Sequence, residues 1–236
     1  FNPAAIASSI NLRTNIISAL QLYSKNVEIN KFGGRFKYSK INQLIDRVDN
    51  GITSNITKVI IRRDLKASLN QFAQYELCFG NRFYINPAGF NIKSTGFTVS
   101  GSDKIAYLTD IPNKDSAGNL DGSMKGTISI VSKNNKNQQV VLVKGAGVVD
   151  YKKGEVILNT INFTSTVAEN NIVEVQAYPE SNDVVGLKDL FVSFNVSNST
   201  INMKEDVIAS GEDVSGVVFT RDYFTSSYSN GVLERK

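Results

Sequence analysis

NKFGGRFKYSKINQLIDRVDNGITSNITKVIIRR, residues 30 to 63, reads as a corner, a strand, a helix and a second strand in close succession. Gly33-Gly34 supplies the corner, because glycine enters tight reversals without a side-chain penalty. RFKYS alternates, with Phe36 and Tyr38 on one side and Arg35 and Lys37 on the other, the period of a short strand. Ser39 is placed to cap a helix in which Ile41, Leu44, Ile45 and Val48 recur at helical spacing, and Asn50-Gly51 offers its stop. The β-branched run ITKVIIRR then predicts a strand. A phosphate cradle needs its glycines directly before a helix, with Lys and Ser/Thr at fixed offsets. Here the glycines precede a strand, so the pair reads as a structural corner.

Upstream, TNIISALQLYSKN predicts a helix with Thr14 as N-cap and Ile16, Leu20, Tyr23 and Val27 on its inward face. Downstream, QYELCFGNRFYINP predicts a β-hairpin turning at Gly80-Asn81. From about residue 97 the helical period disappears. GFTVSG and KIAYLTD read as strands, GTISIVSKNNKNQQVVLVKG and GVVDYKKGEVILNTINFTS as hairpins, and NIVEVQAYPE and DLFVSFNVS as two more strands. VVGLKDL reads as a helical turn, and the last segment, from GVVFT, as beginning with a strand. The expected fold class is α+β: a helix–strand–helix–strand module with a hairpin over 1–98, then a β-rich domain over 99–236.

Composition closes off much chemistry. The 236 residues contain no histidine, which removes the commonest general base and metal ligand together. The lone Cys78 excludes an internal disulfide and cysteine-based metal sites, and within YELCFG it reads as a buried small hydrophobe. Asp110, Asp115, Asn119 and Asp121 invite a calcium reading, but the acids miss the alternate spacing of a calcium-binding loop. The carboxylates are scattered and tryptophan is absent, so glycan hydrolysis ranks last. No catalytic residue, metal site or cofactor is expected. No apolar run reaches the ~20 residues of a membrane span, and no signal segment opens the chain. Residue 1 is phenylalanine, so a longer parent protein is expected.

The net charge of +4 is unevenly placed. Residues 1–66 carry 11 Lys/Arg against 4 Asp/Glu, a net of +7, and residues 67–236 carry 15 against 18, a net of −3. The basic residues are spread over helix, loop and strand without an RNA-reading aromatic motif, so neither nucleic acid nor membrane is an expected partner. A basic portion facing an acidic one suits docking between subunits.

The order carried by IISALQLYSK, FGGRFKYSKINQLIDRV, NGI and KVIIRR resembles the C-terminal part of baseplate-J-like proteins, the wedge-core subunits of contractile-tailed phages. DLKASLNQFAQYELCFGNRFYINP and the VVDYKKGEVIL hairpin extend the likeness over nearly the whole chain. The ITSNIT segment is longer than the step found in simpler members. The resemblance implies a non-enzymatic structural protein that associates with itself, as a homodimer and within a ring around the tail hub. It also implies contacts with other wedge and hub proteins, and a place in the virion tail baseplate after assembly in the host cytoplasm. Phe79, Phe83 and Tyr84 are the expected interface anchors, since aromatics are enriched in interface cores. The alternative is a tail-associated module binding carbohydrate or a receptor through hairpin tips.

Overall fold

The computed structural model describes residues 1–136, 138–187 and 190–206, together with the backbone pairing of 228–229 with 232–233. In chain order the elements are α1 (Ser9–Ser24), β1 (Arg35–Phe36), α2 (Tyr38–Asp46), β2 (Ile61–Lys66), β3 (Ala73–Cys78), β4 (Lys93–Ser94) and β5 (Phe97–Val99). β6 (Ser102–Pro112), β7 (Lys125–Lys133), β8 (Gln139–Asp150), β9 (Glu155–Ile161), β10 (Phe163–Thr166), β11 (Ile172–Ala177), β12 (Val184–Val185), β13 (Tyr228–Ser229) and β14 (Val232–Leu233) follow. The chain is α+β in the coarse sense: mostly sheet, with two helices among the described residues.

Eight strands form one antiparallel path in the order β2-β11-β4-β6-β7-β8-β9-β3, with β5 paired to β6 and β10 to β5. The two end strands meet, and Arg63 Nε donates to the Cys78 carbonyl at 3.0 Å. The sheet is therefore a nearly closed barrel, a solution that leaves few free strand edges. Period-two alternation turns Leu65, Leu77, Leu108, Ile128, Ile130, Val156, Leu158, Val173 and Val175 into its core. Phe163 sits edge-on to Tyr75 and Phe97, with ring centroids 5.4 and 4.9 Å away.

The expected hairpins β7/β8 and β8/β9 form, the second turning through Tyr151–Gly154. Gly154 has φ +69, and a Cβ there would overlap the Asn81 carbonyl. Both the left-handed backbone and the overlap oppose any side chain. Gly154→Ala is accordingly expected to cost about 2 kcal/mol or more, read as a lowered urea midpoint with unchanged slope.

Other expectations are corrected. QYELCFGNRFYINP is not a hairpin: β3 pairs with β9, while Phe83 bridges to Pro179 and Phe83 N–H bonds the Tyr151 carbonyl at 2.9 Å. Leu77 faces inward, so alternation turns Cys78 outward, and it is exposed. DLFVSFNVS makes no strand where described; only Phe191 bridges, to Phe32. Its alternation reflects a covered face, with Val192, Phe194 and Val196 packed on the core. Val184 and Val185 pair with β1 instead of opening a helical turn, and Lys188 and Asp189 lie outside the described residues. So does the expected strand at GVVFT. β5 spans Phe97–Val99, and β2 to β5 share the sheet with β6 to β11.

Candidate functional site

The helical layer is built by residues 1–60 together with 181–187 and 190–206, which lie far apart in sequence. α1 begins at Ser9, so Thr14 is not its cap: it lies within the helix and donates its hydroxyl to the Ile10 carbonyl at 2.9 Å. Leu12, Ile16, Leu20 and Tyr23 are buried, whereas Val27 follows the helix end and is 75% exposed. α2 opens at Tyr38, which shortens the expected strand and places Ser39 inside the helix. Its N-terminus is satisfied from across the fold, where Asp183 Oδ1 accepts the Tyr38 N–H at 2.9 Å and Oδ2 meets Arg35 at 2.7 Å. The Tyr38 N–H and then the Arg35 guanidinium hold Asp183 below the usual carboxylate range. α2 ends at Asp46, ahead of the expected stop. Gly51 is instead needed where Ile6 packs on its backbone, leaving no room for a Cβ.

The Gly-Gly corner locks these parts together. Gly33 takes φ +69 and its N–H bonds the Leu187 carbonyl at 3.1 Å, while Gly186 donates to the Gly34 carbonyl at 2.7 Å. A Cβ on Gly34 would overlap the Ile29 carbonyl. Phe36, held by β1, joins Tyr23 and Phe194 in an aromatic cluster with centroids 5.6 to 6.4 Å apart. The corner serves packing and carries no anion-binding geometry.

The three expected interface anchors are divided by the fold. Phe79 and Phe83 are buried, with Phe83 1% exposed and stacked edge-on against Phe79 at 5.0 Å. Tyr84 is 52% exposed, its backbone N–H fixed to the Tyr178 carbonyl at 3.0 Å. Two of the three rings therefore belong to the core and one to the surface.

The acids of DIPNKDSAGNLDG do not converge. Asp115 Oδ1 accepts the N–H groups of Ala117 and Asn119, and Asp121 Oδ1 accepts that of Ser123, each organising its own turn. Asp110 leaves the loop altogether: it lies in β6, fully buried, accepting the Ile92 N–H at 2.6 Å and the Tyr151 hydroxyl at 2.7 Å. Burial raises its carboxyl above the ordinary range, and burial with the adjacent Asp110 raises the Tyr151 phenol. Among the described residues, no three His, Cys, Asp or Glu side chains gather as a metal site, and no helix is long and apolar enough to cross a membrane. The pair was invisible in the sequence because Asp110 and Tyr151 meet only through the register of β6, β7 and β8.

Residues 4–64 match the family model described as "Baseplate structural protein gp6, C-terminal domain III". The matched span takes in α1, the Gly-Gly corner, β1, α2 and the start of β2. The likeness is thus to one domain of a baseplate structural protein, over 61 of the 236 residues. No curated protein matches the chain.

Proposed function

We propose that the chain is the self-associating C-terminal region of a baseplate wedge-core subunit of the baseplate-J-like kind, acting without catalysis and without a cofactor. The observation that carries this reading is the match of residues 4–64 to a baseplate structural domain. In this reading the chain forms a homodimeric contact and contributes to a ring around the tail hub, assembled in the host cytoplasm before it joins the virion. Residues 1–98 supply most of the contact surface, and residues 99–236 brace it with the β-rich scaffold. A closed ring requires either two non-equivalent patches per subunit or paired two-fold contacts. The basic first 66 residues and the acidic remainder provide complementary charge for one such patch. Tyr84, whose backbone is fixed to the Tyr178 carbonyl, supplies an exposed aromatic anchor.

The test is sedimentation equilibrium of the 236-residue chain across a dilution series. The expected result is a dimer or larger closed species that persists at micromolar concentration and weakens with salt. A monomer at every concentration overturns self-association by this chain and favours the receptor-binding or carbohydrate-binding alternative.

A further inference from the structure

Residues 53–60, TSNITKVI, run from the Asp49–Ile52 turn into β2 with no helix, turn or bend. Among the described residues, no backbone N–H in this run donates a hydrogen bond, and only the Thr57 carbonyl accepts one, from the Tyr38 hydroxyl at 3.1 Å. In extended chain the N–H and C=O of one residue leave by the same edge, and those of the next residue by the other. Thr57 therefore turns its edge to α2, where the Asn55 side chain also reaches the Asn42 carbonyl at 3.4 Å. Residues 54, 56, 58 and 60 turn theirs away from it. The side chains follow the same alternation: Asn55, Thr57 and Val59 are partly covered, while Ser54, Ile56, Lys58 and Ile60 are exposed. Ile56, at 91%, is more exposed than any other large hydrophobic side chain among the described residues.

A row of N–H and C=O groups without a partner among the described residues, beside an exposed isoleucine, is complementary to another extended strand. We propose that residues 53–59 pair antiparallel with the same residues of a second copy, with Ile56 on the two-fold axis. This rests on the self-association proposed above and assigns it a surface. A two-fold axis perpendicular to the ribbon preserves its faces, and directly opposed residues share a face, so the central residue must oppose itself. Centring on Lys58 would set lysine against lysine, which is unfavourable. Centring on Thr57 would set each Ile56 against a lysine. Centring on Ile56 opposes the two isoleucines and gives Lys58 the neutral Ser54. The two copies then meet with no like charges opposed along the strand.

The experiment uses the full chain, with circular dichroism to confirm that each variant is folded. Ile56→Lys and Ile56→Glu alone should each weaken the dimer about tenfold or more, and an equimolar mixture of the two should restore it. Ile56→Cys in a Cys78→Ser background should form an intermolecular disulfide on oxidation. If the unaltered chain associates and both charge variants associate equally well, the strand is not the contact, although self-association stands. If both variants dissociate, the mixture fails to recover and the cysteine does not cross-link, the two-fold register is wrong. An unaltered chain that is monomeric throughout removes the self-association reading and this surface with it.

Discussion

Phe83→Ala is expected to lower the unfolding free energy by about 3–5 kcal/mol, the usual cost of emptying a buried aromatic site. Phe83 is 1% exposed and its ring packs edge-on against Phe79, so the neighbours lose both contact area and a favourable aromatic geometry. Its backbone also ties the segment after β3 to the β8/β9 turn through the Tyr151 carbonyl, which limits how far the site can collapse to fill the space. Tyr84→Ala, one residue later, should change stability by only about 0.5 kcal/mol because its ring is half in solvent. Urea unfolding separates the two. If Tyr84 anchors a partner, its variant keeps its midpoint but dissociates at higher concentration than the unaltered chain. Equal small losses from both substitutions would show that the aromatic segment is not part of the core.

Asp110→Ala is the second substitution with a large expected effect. Removing the carboxylate strands the Ile92 N–H and the Tyr151 hydroxyl in a dry interior. Each orphaned donor costs about 1–3 kcal/mol, so a loss of about 2–5 kcal/mol is expected. Asp110→Asn keeps the shape and an acceptor oxygen and should cost less. The pH dependence has a definite sign. Burial raises the folded-state value above the unfolded one, so the folded protein holds the Asp110 proton more tightly. The contribution is fully present below the unfolded value and declines as pH rises through the folded one. Asp110→Asn should therefore flatten the part of the stability profile that falls upward from about pH 4. Urea midpoints of the two proteins across that range test this, and parallel profiles would show that Asp110 titrates normally.

The helices were legible because periodicity survives ignorance of the partner: Ile16, Leu20, Tyr23 and Ile41 are buried as their spacing required. Their ends were not. Both N-termini lack a capping side chain of their own, and that of α2 borrows Asp183 from 145 residues away. The β7/β8 and β8/β9 hairpins were legible from turn residues flanked by alternating strands. β3 was not, because its ladder runs to β9 and no local signal specifies a partner so distant. Alternation proved to report which face is covered, not whether the backbone is paired: Val192, Phe194 and Val196 alternate inward without a ladder. Of the candidate site, the aromatic cluster was readable as a group. Its division into two core rings and one surface ring depends on the docking of residues 79 to 84 against the β8/β9 turn and residues 178 and 179.

The order of the strands has a consequence for the length of one connection. β2 and β3 are consecutive in sequence yet occupy opposite ends of the eight-strand path. A flat sheet of that width would hold its outer strands about 34 Å apart, at a spacing of about 4.8 Å per step. The chain from Lys66 to Ala73 reaches about 25 Å even when fully stretched. The covalent tether is too short for a planar sheet, so curvature is compulsory for this topology. The Arg63 to Cys78 bond fastens a seam that the chain itself has already drawn together.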